Sequence, residues 1–246
     1  MIAIISPALT MKECRENYID LTIPCQINKV KEIVEKIKTL SKEELKEIMG
    51  VNDKIAELNK FRYEHIKYDE YGTPAIISYT GTAYKSINAS VFNKDEIEFC
   101  KNHIRILSGL YGVLKPYDSV YEYRLEMKTK ISINNSKDLY DYFGGSLYNE
   151  LVKEDREIIN LCSEEYSKVI TPYLKDGDKF ITCSFKIYKN GTLKSYSTDA
   201  KSTRGLMVKY IVENKINNKE FLKYFKENGY TFNESLSTEI EYIFTK

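Results

Sequence analysis

Short apolar runs alternate along this chain with longer stretches in which Lys and Glu recur around aliphatic residues. Residues 2–6 (IAIIS) are the first run, continuous and rich in isoleucine, as in a strand covered on both faces. Ser6-Pro7 breaks it. Over residues 28–48, Val30, Ile33, Val34, Ile37 and Leu40 recur at helical spacing. Ser41 with Glu44 reads as a capping box opening a helix over 42–49, stopped at Gly50. A third helix is expected over 53–63. Residues 75–79 (AIISY) predict a second strand. Asn93 with Glu96 caps a helix running to His103, and a third strand covers 104–107. A helix over 138–152 and a fourth strand over 157–161 follow. Asn190-Gly191 between the alternating runs 179–188 and 192–197 marks an antiparallel hairpin. Helices over 203–214 and 219–227 and a closing strand over 241–244 complete the pattern. The reading is a mixed α/β (α+β) fold in one domain, 1–246, with a partly parallel central sheet flanked by helices.

The densest stretch is 103–127, HIRILSGLYGVLKPYDSVYEYRLEM. Its apolar run carries Ser108, Gly109, Tyr111 and Gly112, then a basic and aromatic group that includes Lys115 and Arg124. Two glycines three apart predict a tight turn whose bare N–H groups suit an anion such as phosphate. An ordinary turn after a buried strand is the plainer alternative, since so short a Gly-x-x-Gly is a weak motif. Each apolar run also ends in small polar residues: Ser6, Thr80 to Thr82, Ser108, and Asn160 with Ser163. In open α/β sheets, ligands bind at the carboxyl ends of the strands.

Composition narrows the choices. The 37 basic and 36 acidic residues leave a net charge of +1, so any polyanion site must be a local patch. Two windows supply one. Residues 101–130 hold six basic residues against three acidic, and residues 199–226 hold seven against three. Five scattered cysteines without a C-x-x-C predict neither a disulfide framework nor a zinc site. His65 and His103 lie far apart, with no 2-His-1-carboxylate spacing for iron. No metal or cofactor is expected. No run approaches membrane-span length, no secretory leader is visible, and a cytoplasmic, monomeric protein is the default.

Several ordered blocks resemble the YaaA family of bacterial peroxide-stress proteins. They are Ile5-Ser6-Pro7-Ala8 with Thr10; SGLYGVLKP with YRLEM; Lys137 to Tyr140; Ile159-Asn160-Leu161 with Ser163, Glu165 and Tyr166; and Lys201 with Arg204 to Met207. Two positions depart from the family pattern: Leu9 stands where a lysine is usual, and Thr82 where an aspartate is usual. Lys12 is close enough to stand in for the lysine. The resemblance implies non-specific binding of double-stranded DNA through a basic cleft, with a helix-hairpin-helix-like element, and a role in limiting iron-driven oxidative damage. It implies no metal centre or reaction.

The residues so expected to meet nucleic acid or phosphate are Lys12, Arg105, Ser108, Gly109, Tyr111, Gly112, Lys115, Arg124, Lys201 and Arg204. Arg105 lies inside an apolar strand and needs a ligand or an internal partner, Glu126 or Glu165. Arg204, read at the start of a helix beside Lys201, opposes the helix dipole unless an anion sits between them. The alternative function is an enzyme acting on a nucleotide or nucleobase in the strand-end cleft. Glu165, with Ser108 and Asn160, would then be the catalytic group, and Lys201 and Arg204 the phosphate clamps.

Overall fold

Isoleucine-rich runs need cover on both faces, and a central, mostly parallel sheet flanked by helices supplies it. The computed structural model describes residues 1–14, 20–68 and 70–246. In chain order the elements are β1 (Ile2–Ile5), α1 (Ile27–Lys38), α2 (Lys42–Met49), α3 (Asp53–Glu64), β2 (Thr73–Pro74), α4 (Ala75–Ser78) and α5 (Thr82–Ile87). Next come α6 (Lys94–His103), β3 (Ile104–Ser108), β4 (Gly112–Leu114), β5 (Ser119–Val120), α7 (Leu139–Phe143), α8 (Ser146–Val152), β6 (Glu157–Leu161) and α9 (Glu164–Ser167). The chain closes with β7 (Lys179–Lys189), β8 (Thr192–Lys194), α10 (Ser197–Glu213), β9 (Thr231–Phe232) and β10 (Glu241–Thr245).

The main sheet runs β4-β3-β1-β6-β7-β10-β9, with β8 folded back on β7 as the expected hairpin. β3, β1, β6, β7 and β10 are mutually parallel, and β4, β8 and β9 pair antiparallel. Ile4 pairs with Arg105 on one side and with Asn160 on the other. β1 therefore lies between strands reached by crossovers in opposite directions. Its carboxyl end, beside that of β6, is the topological switch point, where a crevice opens in such sheets.

Helix signals written in caps hold. Ser41 and Asn93 both make full capping boxes, with Glu44 and Glu96. Signals written only in hydrophobicity fare less well. Residues 75–79, expected as a strand, form the buried α4 and a single bridge from Tyr79 to Met11. So short an apolar run fits a buried helical turn as well as a strand. The helix expected over 138–152 breaks at Gly144-Gly145 into α7 and α8. The helix expected over 219–227 is a 3-10 turn from Lys219 to Tyr224. The helix expected from 203 begins at Ser197, so Arg204 sits two turns inside it. The dipole argument for Arg204 therefore fails, because that effect fades beyond the first turn. Among the described residues no helix is long and apolar enough to cross a membrane.

Candidate functional site

Hydrogen bonds stitch the ends of β1 and β6 together. Ser6 Oγ accepts the Ser163 N–H at 2.9 Å, and the Tyr84 hydroxyl donates to the Ser6 carbonyl at 3.0 Å. Asn160 turns its side chain along the sheet: Nδ2 donates to Thr182 Oγ1 at 3.1 Å, and Oδ1 accepts the Cys162 N–H at 2.9 Å. That bond bends the chain out of β6 towards Ser163 and Glu165. Above the strand ends, α10 packs on α5. Gly205 permits it, since a Cβ there would collide with the Ala83 carbonyl. A hydroxyl pair, Ser86 with Ser202 at 2.9 Å, pins the two helices.

These elements enclose a cleft of about 300 Å³ at the switch point. Ser6, Thr82, Glu165, Lys201 and Arg204, all expected at strand ends or as clamps, line it together. Glu126, Ser163 and Tyr166 join them, and Pro7, Ala8, Leu9 and Ala83 supply an apolar part. Leu9 and Thr82 thus both line the cleft. Lys12 lies outside its lining; its N–H donates to the Ser78 carbonyl at 2.8 Å.

Charge divides the cleft. Arg204 makes no hydrogen bond or ion pair with any described residue, and its Nε is buried without a partner. Burial holds its pKa below the usual arginine value. A guanidinium left this way wants an anion. Lys201 is exposed on the same helix, one turn earlier, and pairs with no described carboxylate. The acidic part comes from Glu126 and Glu165, bridged by Lys128 Nζ at 3.0 and 3.8 Å. The hydrogen bond and charge of Glu126, then the charge of Glu165, raise the Lys128 pKa. The Tyr140 hydroxyl donates to the Glu165 carbonyl at 2.8 Å, and the Lys128 N–H reaches Glu165 Oε1 at 3.3 Å. Beneath the floor, burial pushes the thiols of Cys162 and Cys183 up to about 12, the range of inert rather than reactive cysteines.

The other expected residues lie outside the cleft lining. Arg105 is 3% exposed and held by Glu154, with further bonds to the Lys101 and Ile104 carbonyls. An internal partner is what the sequence demanded, but it is Glu154 rather than Glu126 or Glu165. The turn from Gly109 to Gly112 is buried and keeps its donors for the protein. Ser108 Oγ accepts the N–H groups of Leu110 and Tyr111 at 3.1 and 2.8 Å, and Gln26 Oε1 accepts that of Val113 at 3.2 Å. Gly112 has φ +71°. Gly109 lets the backbone of Leu125 and Glu126 approach, for a Cβ would meet the Leu125 carbonyl oxygen at 2.5 Å. Tyr111 is buried, its hydroxyl accepting the Tyr121 N–H at 3.0 Å. Ser108 shares a hydroxyl chain with Tyr123 and Tyr79, at 2.7 Å each. Lys115 is exposed away from the cleft lining, and Arg124 is half-buried with an unpartnered Nε outside it. Much of the basic excess is neutralised in pairs: Lys209 with Glu213, Lys215 with Asp95, and Lys223 with Glu220. Each histidine stacks on a ring one helical turn away, His65 on Phe61 and His103 on Phe99.

Sequence reading missed Glu126 as a cleft residue and Lys128 as the cation that joins it to Glu165. Their signal was Gly109, whose missing side chain brings the YRLEM segment against the β3 end. That signal is legible only once the two segments are known to touch.

Residues 1–236 match the sequence model of a family described as peroxide stress protein YaaA. Among curated relatives, a UPF0246 protein of Clostridioides difficile (strain 630) is 52% identical over 246 residues, covering 100% of both chains. A UPF0246 protein of Agathobacter rectalis is 44% identical, over 100% of this chain and 99% of its own. One of Ligilactobacillus salivarius is 40% identical, over 100% of both.

Proposed function

Because the chain belongs to the peroxide stress protein YaaA family, we propose that it serves that response through the switch-point cleft, which binds a single nucleotide by its phosphate. The carrying observation is Arg204, half-buried, with an enclosed Nε that meets no partner among the described residues, facing a cleft beside exposed Lys201. A phosphate satisfies both groups, as charge-assisted bonds to a guanidinium do elsewhere. The volume suits one nucleotide unit rather than a duplex. The acidic part of the lining also disfavours a continuous polyanion. Glu165 would supply acid–base chemistry if the bound nucleotide is transformed there. Calorimetric titration with nucleoside monophosphates at low salt tests the reading. Micromolar-range binding, weakened roughly tenfold or more by Arg204→Gln, is expected. Absence of binding by any nucleotide to the wild type overturns it.

A second reading is non-specific binding of double-stranded DNA, by which the protein limits iron-driven oxidative damage. What favours it is the helical pair α2 and α3, joined through Gly50, Val51 and Asn52 and packed together, the segment closest in form to a helix-hairpin-helix element. Its charges count against it: residues 42–64 hold five basic side chains and six acidic ones. Fluorescence anisotropy across a salt series decides. Log-linear loss of affinity, with a shallower slope for Lys201→Ala/Arg204→Ala, supports phosphate neutralisation at the cleft.

A further inference from the structure

The division of the cleft into cationic and acidic parts carries more than the presence of a phosphate. We infer that the site selects ribonucleotides, with Glu126 and Glu165 accepting hydrogen bonds from the sugar hydroxyls of the nucleotide whose phosphate Lys201 and Arg204 hold; this rests on the nucleotide reading above.

A carboxylate only accepts, so whatever faces Glu126 and Glu165 must donate. A phosphate cannot, and neither can the acceptor edge of a base. Both side chains are largely sheltered, at 20% and 21% exposure, and both line the cleft. Lys128, 64% exposed, reaches them and satisfies part of their acceptor capacity. Glu126 Oε1 takes the ammonium at 3.0 Å, while Glu165 holds it only at 3.8 Å. Several lone pairs are left for a ligand.

The two carboxylates are also held in place before any ligand arrives. The Lys128 N–H holds the Glu165 carboxylate and Tyr140 its backbone carbonyl, while the close approach at Gly109 fixes the backbone of Glu126 and Lys128 Nζ its carboxylate. Acceptors held this way discriminate strongly, because a ligand lacking the matching donor leaves a sheltered carboxylate unpaired. Two acceptors sharing one lysine match two neighbouring donors, which is what a ribose 2′,3′-diol presents. A deoxyribose presents only one. The apolar part of the lining, Pro7, Ala8, Leu9 and Ala83, then offers a surface for the base.

The test is calorimetry of the full chain with AMP, GMP, CMP and UMP, their 2′-deoxy counterparts, and 3′-deoxy-AMP. The wild type is expected to bind each ribonucleotide roughly tenfold or more tightly than its 2′-deoxy form. Glu126→Gln and Glu165→Gln should each weaken ribonucleotide binding, and the one that removes the acceptor of the 2′-hydroxyl should bring the ribo-to-deoxy ratio close to one. Thermal melts establish that each variant is folded, and the wild-type comparison requires no variant. Equal binding of ribo and deoxy forms by the wild type overturns the sugar assignment and leaves the nucleotide reading standing. Binding of aminoalkyl phosphates in preference to nucleotides overturns it too, by assigning the carboxylates to an ammonium group. No binding of any nucleotide removes both readings together.

Discussion

A guanidinium whose Nε is enclosed without a hydrogen-bond partner is held at a loss of stability, and among the described residues Arg204 carries such a group. Binding sites commonly carry this tension, because the side chain that waits for a ligand is not optimised for the empty fold. Its replacement by an apolar residue of similar length separates the two roles. Arg204→Met should raise the melting temperature, by a few degrees for about 1 kcal/mol, while abolishing nucleotide binding. Thermal melts and calorimetry on the same preparation check this, and a fall in melting temperature would show that the guanidinium has a structural partner. At this scale the sequence was informative about residue type but not about placement. Glu165 was legible as a charged group after a strand, and Lys201 and Arg204 as cations at a helix start. Arg105 was legible as a buried charge in need of a partner. That Glu154 fills the need depends on a contact 49 positions along the chain.

Among the elements, α10 matters most, because it carries both cations and is seated by one missing side chain. The Ala83 carbonyl occupies the space that a Cβ on Gly205 would need. Gly205→Ala should therefore force α5 and α10 apart. Overpacking of this kind costs about 1–3 kcal/mol, outweighing the gain of about 1 kcal/mol from replacing a helical glycine. Nucleotide affinity should fall with it, since Lys201 and Arg204 move together. Urea unfolding and calorimetry read both effects; unchanged stability would show that the helices adjust freely. Helices bounded by capping side chains, α2 and α6, were legible in advance because capping is a local bond between residues three apart. The start of α10 was not, since Tyr196 offers no capping side chain. Nor was α4, where three buried apolar residues and Ser78 fit either state and tertiary packing chose the helix.

Across the whole molecule, the closing strand ties the end of the chain to the helix that bears the site. Asp199, in the first turn of α10, accepts from the Tyr230 hydroxyl at 2.5 Å, from Lys246 Nζ at 2.9 Å and from Asn228 Nδ2 at 3.3 Å. Burial alone would raise its pKa, but the bonds from Tyr230 and Lys246 outweigh it and hold the carboxyl below its ordinary 3.8. A depressed folded pKa contributes stability that is complete above the unfolded value and is lost as pH falls through the folded one. Asp199→Asn should thus cost about 1 kcal/mol at neutral pH. The gap from wild type should close as pH drops below about 4. Denaturant midpoints from pH 7 to pH 3 test the sign, and a gap that widened on acidification would contradict it.

The strands β1, β3, β6 and β10, the capped helices and the hairpin were determined by the sequence alone, since each rests on periodicity or on bonds between near neighbours. The mixed fold class followed from their order. Only the tertiary structure decided that β1 lies between β3 and β6, that the cleft opens there, and that Glu126 and Glu165 meet Lys201 and Arg204 around it. It also decided that Ser108 Oγ takes the Leu110 and Tyr111 N–H groups within the Gly109 to Gly112 turn. The physical reason is the same in each case. Local signals report what a segment does with its own backbone. Which segments meet depends on how the whole set of apolar surfaces is buried at once, and no stretch of the chain encodes that by itself.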